Sequence, residues 1–237
     1  MRADTRARAG FDSGPTVLSA GVSIGAGTVA MWVLMEAPVQ RRLLGVALLG
    51  TVLWTIGAGS WKRNRVAPGV LVSCIGLLIV AVAVSNAATT PDRIVDRLVL
   101  IPGLVGIWVV SLGLIPVRLR WSRRFVDFGT ALLFLAVLTA GFVQGPSALT
   151  LVIATAATIL AWDAAENAVS LGGQVGAGWT TSSARAEVVH ITLSTCVAGL
   201  VIVAGVVVTR LAVQGLSLGV LLALLVAGVA LTLAHHR

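Results

Sequence analysis

Six polar residues in one stretch of the chain are of types that could do chemistry. They are Asp163, Glu166, Asn167, Arg185, Glu187 and His190. Spacings of three and four residues place the first three on one helix face and Glu187 and His190 on another. A helical hairpin would bring the two faces together, so that carboxylates meet an imidazole and a guanidinium.

Three hypotheses fit this cluster. It could be a structural clasp, in which Arg185 or a protonated His190 neutralises Asp163 and Glu166. It could be a docking surface for a partner, or a metal or catalytic site. Glu187-Val-Val-His190 is half of the ligand set of di-metal carboxylate bundles, which use two such motifs and further glutamates, whereas this chain has one motif. The sequence therefore predicts no catalytic residue, no metal ligand and no cofactor.

The composition defines the surroundings of this cluster. Of 237 residues, 57% are hydrophobic and only 11% are charged, whereas soluble globular domains carry about 25% charged residues. Seventeen Lys and Arg against nine Asp and Glu give a net charge of +8. In a membrane protein such an excess of cations reports topology, so we expect a lipid bilayer and no nucleic acid as the partner.

Apolar runs bounded by charge or proline predict an all-α polytopic membrane helix bundle of about eight transmembrane helices. We predict spans at 16–35, 43–60, 66–87, 98–117, 126–143, 147–169, 187–209 and 216–234. Together, 16–234 form a single transmembrane domain between tails at 1–15 and 235–237. The weakest boundary is the turn Gln144-Gly145-Pro146 between spans five and six; without a break there, the count falls to seven.

The distribution of cations along the chain predicts the orientation. With a cytoplasmic N-terminus, twelve of the cations lie inside and five outside, which is the direction expected of membrane proteins. The five are Arg41, Arg42, Arg93, Arg97 and Arg210. We therefore expect both ends in the cytoplasm (N-in and C-in) and a multi-pass protein of the cell membrane.

Two features of the spans bear on function. Their central thirds contain no Asp, Glu, Lys, Arg or His, which argues against a proton-coupled pump. Small residues every fourth position, such as Gly21 and Gly25 with Ser19, Ser23 and Gly27 beside them, indicate close helix packing within the bundle or homodimerisation. Asp163 lies about 24 Å along its helix from Ser147, near the predicted cytoplasmic boundary.

The stretch from Ala161 to Val197 resembles an uncharacterised family of haloarchaeal polytopic membrane proteins. The resemblance is carried by Ala161-Trp162-Asp163, Glu166-Asn167-Ala-Val, Gln174-Val-Gly176 and Arg185-Ala-Glu187-Val-Val-His190. That family looks to be encoded near MoxR-type AAA+ ATPases and their companion membrane proteins. The resemblance therefore implies other membrane proteins, or a cytoplasmic AAA+ ATPase, as partners.

Taken together, these patterns favour a non-enzymatic membrane component or scaffold of a multiprotein assembly. The alternatives are a small permease or channel and, third, a metal-dependent membrane enzyme that uses Asp163, Glu166, Glu187 and His190.

Overall fold

The computed structural model describes residues 16–61, 66–91, 93–115, 119–175 and 181–210. The described residues form seven α-helices and one π-helical turn. The helices are α1 (Val17–Leu34), α2 (Pro38–Trp61), α3 (Val66–Thr89), α4 (Ile94–Gly113), α5 (Leu119–Thr139), α6 (Ala148–Val175) and α7 (Thr181–Arg210), and the π-helical turn is Ala140–Gln144. Each of the seven helices is long and apolar enough to cross a membrane. The predicted eighth span, 216–234, lies outside the described residues.

The break between spans five and six is confirmed. After α5, the π-helical turn ends at Gly145, whose φ of 62° is left-handed and whose N–H donates to the Ala140 carbonyl. Glycine is the residue that takes this conformation without steric cost, and it commonly ends helices. Proline follows, and α6 begins at Ala148, so the two spans form separate helices.

Several helices begin earlier than the apolar runs suggested. Span two was predicted from 43, but α2 begins at Pro38, a residue suited to the first helical position. Span five was predicted from 126, but α5 begins at Leu119 and carries its arginines in the first two turns. Hydropathy detects the apolar part of a helix, whereas the backbone stays helical through the charged turns next to it. In the other direction, α4 ends at Gly113 rather than 117, because the backbone before Pro116 disfavours the helical region.

Two glycine-rich hairpins and one central helix pair make up the packing. In the α2–α3 hairpin, a Cβ on Gly76 would lie 2.5 Å from the backbone nitrogen of Trp54. In the α4–α5 hairpin, a Cβ on Gly129 would lie 2.6 Å from the backbone nitrogen of Val110. Helix α1 packs along α6 with extensive contacts, and the two hairpins contact each other through α3 and α4. The backbones approach so closely because these positions carry no side chain, as is typical where lipid gives helices no hydrophobic reason to associate.

The small residues of α1 divide into a buried and an exposed set. Ser19, Ser23 and Gly27 are buried, and a Cβ on Gly27 would lie 3.3 Å from Leu133. Gly21 and Gly25, by contrast, are exposed and have nothing within 4 Å of a Cβ. The interior of the bundle is therefore packed against the serine side of α1, and its glycine pair faces outward.

Most of α7 lies on the outside of the described bundle. The most apolar stretch of this helix contains no buried residue, and side chains such as Leu200 are largely exposed. Only its first turns enter the interior, where Glu187 is 3% exposed. This helix therefore contributes its polar beginning, rather than its apolar length, to the core.

Candidate functional site

Four helices meet at the end of the bundle where α1, α5 and α7 begin and α6 ends, which we call the clasp end. The last third of α6 supplies Asp163, Glu166 and Asn167, and the first third of α7 supplies Glu187 and His190. The structure thus brings both sequence motifs to one end of the molecule. It does not merge them into one cluster, because each polar side chain of α6 contacts a different neighbouring helix.

The most buried contact joins α7 to the start of α1. Ser19 donates two hydrogen bonds to Oε1 of Glu187, one from its backbone N–H (2.8 Å) and one from its hydroxyl (2.7 Å). Asn167 donates from Nδ2 to the Ser19 hydroxyl at 3.1 Å. The first backbone N–H groups of a helix have no partner within it and carry a partial positive charge. A carboxylate of another helix therefore caps α1, because the N-cap residue Thr16 makes no side-chain cap of its own.

Helix α1 is also bound to α6 through backbone groups. The hydroxyl of Ser23 donates to the carbonyl of Ala161 at 2.6 Å, and the N–H of Thr16 donates to the carbonyl of Ala168 at 3.2 Å. Both acceptors lie on the buried alanine side of α6, with Ala161, Ala165 and Ala168 fully buried. The small side chains on this side of α6 therefore let α1 approach its backbone closely.

A second contact, on the other side of α6, joins it to α7. Nε2 of His190 lies 3.0 Å from Oδ2 of Asp163, and the hydroxyl of Ser194 donates to the same oxygen at 2.5 Å. This group is partly open, since the side chains of His190 and Asp163 are 41% and 39% exposed. Asp163 lies four residues before Asn167 on α6, and hence about 6 Å further from the clasp end along the axis.

A third contact joins α6 to α5. Nε of Arg123 lies 3.0 Å from Oε1 of Glu166, with side chains that are 60% and 35% exposed. We expected Arg185 or His190 to neutralise Asp163 and Glu166. In the structure, His190 lies against Asp163, and Arg123 rather than Arg185 lies against Glu166. Arg185 is exposed and forms no ion pair with a described residue, because the first turns of α7 direct Glu187, not Arg185, into the bundle.

The two ends of the Glu187-Val-Val-His190 motif serve different contacts. Glu187 caps α1, and His190 contacts Asp163. Within the part of the chain that the structure describes, no three His, Cys, Asp or Glu side chains are grouped so as to hold a metal ion. The described geometry therefore offers charge neutralisation and helix capping rather than a ligand set.

Three partners in this site were not among the residues that the sequence suggested, namely Ser19, Arg123 and Ser194. Two of them had a weak signal in the sequence. Ser19 follows Thr16 by three residues at the start of an apolar run, and Ser194 follows His190 by four, on the same helix face. Arg123 is one of the twelve cations that the topology count places inside, and nothing in the sequence links α5 to α6.

The fold and the site define a multi-span, all-α protein with seven candidate membrane helices among the described residues. The model of a family of unknown function, DUF7519, matches residues 78–232, and this chain belongs to that family. The match includes the whole stretch from Asp163 to His190, and the expectation of an uncharacterised family is confirmed at that level. No curated protein matches the chain, and no solved structure does.

Proposed function

We propose that this protein is a non-enzymatic membrane component that serves as a scaffold in a multiprotein assembly. The observation that carries the proposal is that the carboxylates at the clasp end bind side chains or backbone groups of neighbouring helices. In the described residues, Glu187, Glu166 and Asp163 contact neighbouring helices at one end of the bundle. Groups engaged in this way hold helices in place, which suits a component whose task is to present a fixed surface.

The middle of the bundle supports a scaffold over a permease or channel. Thr51, Thr130 and Thr158, which lie near the middle of their helices, each donate to the carbonyl four residues earlier in the same helix. The core around them is apolar and includes Met31 and Leu104. An ion pathway needs polar groups that line a continuous route through the membrane. The described core is filled with apolar side chains, which cannot line such a route.

The surface that we assign to partner contact lies at the clasp end. Trp121 is half exposed, and the guanidinium of Arg124 stacks over its ring at 5.6 Å. Exposed Trp and Arg are the side chains most enriched at the energetic centres of protein interfaces. The resemblance to haloarchaeal proteins implies an AAA+ ATPase or other membrane proteins as partners, and we include both in the proposal.

The proposed arrangement has eight spans, with both termini and the clasp end in the cytoplasm of a multi-pass cell-membrane protein. Domain bounds of 1–15, 16–234 and 235–237 belong to the same proposal. The cation distribution supports it, and a cytoplasmic clasp end would let a soluble partner reach Trp121 and Arg124.

Quantitative co-purification from native membranes tests the scaffold. We expect stoichiometric partners with the natural chain and at least tenfold less of them with Trp121→Ala plus Arg124→Glu. A matched control exists at the opposite end, where Arg41 stacks over Trp32 at 5.3 Å; Trp32→Ala plus Arg41→Glu should leave co-purification unchanged. A protein that is recovered alone, or equal losses from both pairs of variants, would contradict the proposal.

A further inference from the structure

A groove with a volume of about 370 Å³ runs between α6 and α7 on the periphery of the bundle. Its walls are apolar and include Ile159 and Leu160 from α6 and Leu193, Val197 and Val201 from α7. Val197 and Ile159 are 62% and 46% exposed, so the groove opens sideways. Among the described residues, this opening lies on the outside of the bundle, the side that a membrane protein presents to lipid or to further spans.

One end of the groove is polar. Asp163, His190, Ser194 and Trp162 line it there. Both Ser194 and His190 contact Oδ2 of Asp163, so Oδ1 makes no hydrogen bond with a described residue. This end therefore offers an accessible carboxylate oxygen and an indole ring at the head of an apolar channel.

The charged side chains at this end favour a cation over an anion. Asp163 is the carboxylate among the described lining residues, and neither Lys nor Arg is among them. Trp162, which lines the same end, donates from Nε1 to Oδ1 of Asp127 at 3.4 Å, although Asp127 itself does not line the groove. An anionic head group would therefore meet the Asp163 carboxylate with no Lys or Arg beside it to compensate the repulsion.

We propose that this groove binds a single-tailed lipid with a cationic amine head, which enters sideways from the bilayer. The amine donates to Oδ1 of Asp163 and lies against the Trp162 ring, where the ring quadrupole attracts a cation. The tail lies along the walls from His190 to Val201, about 16 Å of helix at 1.5 Å per residue. This binding site goes beyond the scaffold role and does not depend on it.

Two matched photoreactive probes test the proposal with the full-length protein in phosphatidylcholine nanodiscs. One is a long-chain primary amine with a diazirine in its tail, and the other is the alcohol of the same chain. Peptide mapping should place the amine label on 159–160 and 193–201, at least ten times more strongly than the alcohol label. Asp163→Asn should reduce amine labelling to the level of the alcohol. Equal labelling by both probes, or undiminished labelling of Asp163→Asn, would overturn the proposal.

A pair of tryptophan variants keeps the test decisive if Asp163→Asn does not fold. Val197→Trp fills the groove, whereas Val203→Trp adds the same side chain at a position of α7 that is 63% exposed and does not line it. We expect at least a tenfold loss of amine labelling with the first and none with the second. If neither probe labels the groove of the natural chain, because residues 211–237 or a second copy occupy it, the proposal is wrong.

Discussion

At the scale of single residues, Glu187 caps α1 in a buried contact at the clasp end. A buried carboxylate is costly unless hydrogen bonds compensate it, and here Ser19 supplies two of them. The partial positive charge at the start of α1 adds a favourable field. Glu187 therefore does for α1 what an Asp at the N-cap does for an ordinary helix, but from a helix that lies 168 residues further along the chain.

We predict that Glu187→Ala lowers the free energy of unfolding by about 2 kcal/mol, because it removes a cap and leaves the Ser19 donors buried without a partner. Glu187→Gln should cost less, since its amide oxygen still accepts. The control is Glu36→Ala, since Glu36 is exposed and forms no ion pair with the described residues; an exposed substitution changes stability by about 0.5 kcal/mol or less. Unfolding in detergent measures all three, and similar effects of Glu187→Ala and Glu36→Ala would remove the capping account.

At the scale of helices, the sequence showed which residues are small but not which of them are buried. Gly21 and Gly25 share the four-residue spacing of Ser19, Ser23 and Gly27, and both sets fit a packing interface. The structure buries the serine set because its hydroxyls find acceptors on α6 and α7. Which set is buried therefore depends on acceptors that lie 138 or more positions away in the chain. A local sequence pattern contains no information about these acceptors.

This difference predicts opposite outcomes for two glycine substitutions. Gly129→Ala places a Cβ 2.6 Å from the backbone of Val110, so α4 and α5 must separate, at a cost of about 1–3 kcal/mol. Gly21→Ala meets nothing within 4 Å and should leave stability unchanged or raise it by up to about 1 kcal/mol, because alanine favours the helix. Thermal unfolding of the two variants in the same detergent compares them directly. Loss of stability in Gly21→Ala alone would mean that the exposed glycines form the packing surface.

At the scale of the whole molecule, hydropathy predicted the helical class and the order of the described spans, because each apolar run must satisfy its backbone within a helix. The same reasoning identified the Asp163 to His190 region as a polar end, since three of the nine Asp and Glu residues lie there. It did not predict that Asp163, Glu166 and Asn167 would be divided among α7, α5 and α1. That division depends on how the helices are arranged around α6, which span order alone leaves open.

The central proposal is that a multi-pass bundle places the clasp end on the cytoplasmic side, opposite the π-helical turn that joins α5 to α6. Reporter fusions after Gln144 and after Gly176 test it most directly, with activity assays that distinguish the two sides of the membrane. We predict that the fusion at Gln144 reports the outside and the fusion at Gly176 the cytoplasm. If both fusions report the same side, α6 does not cross the membrane, and the account of the clasp end is contradicted.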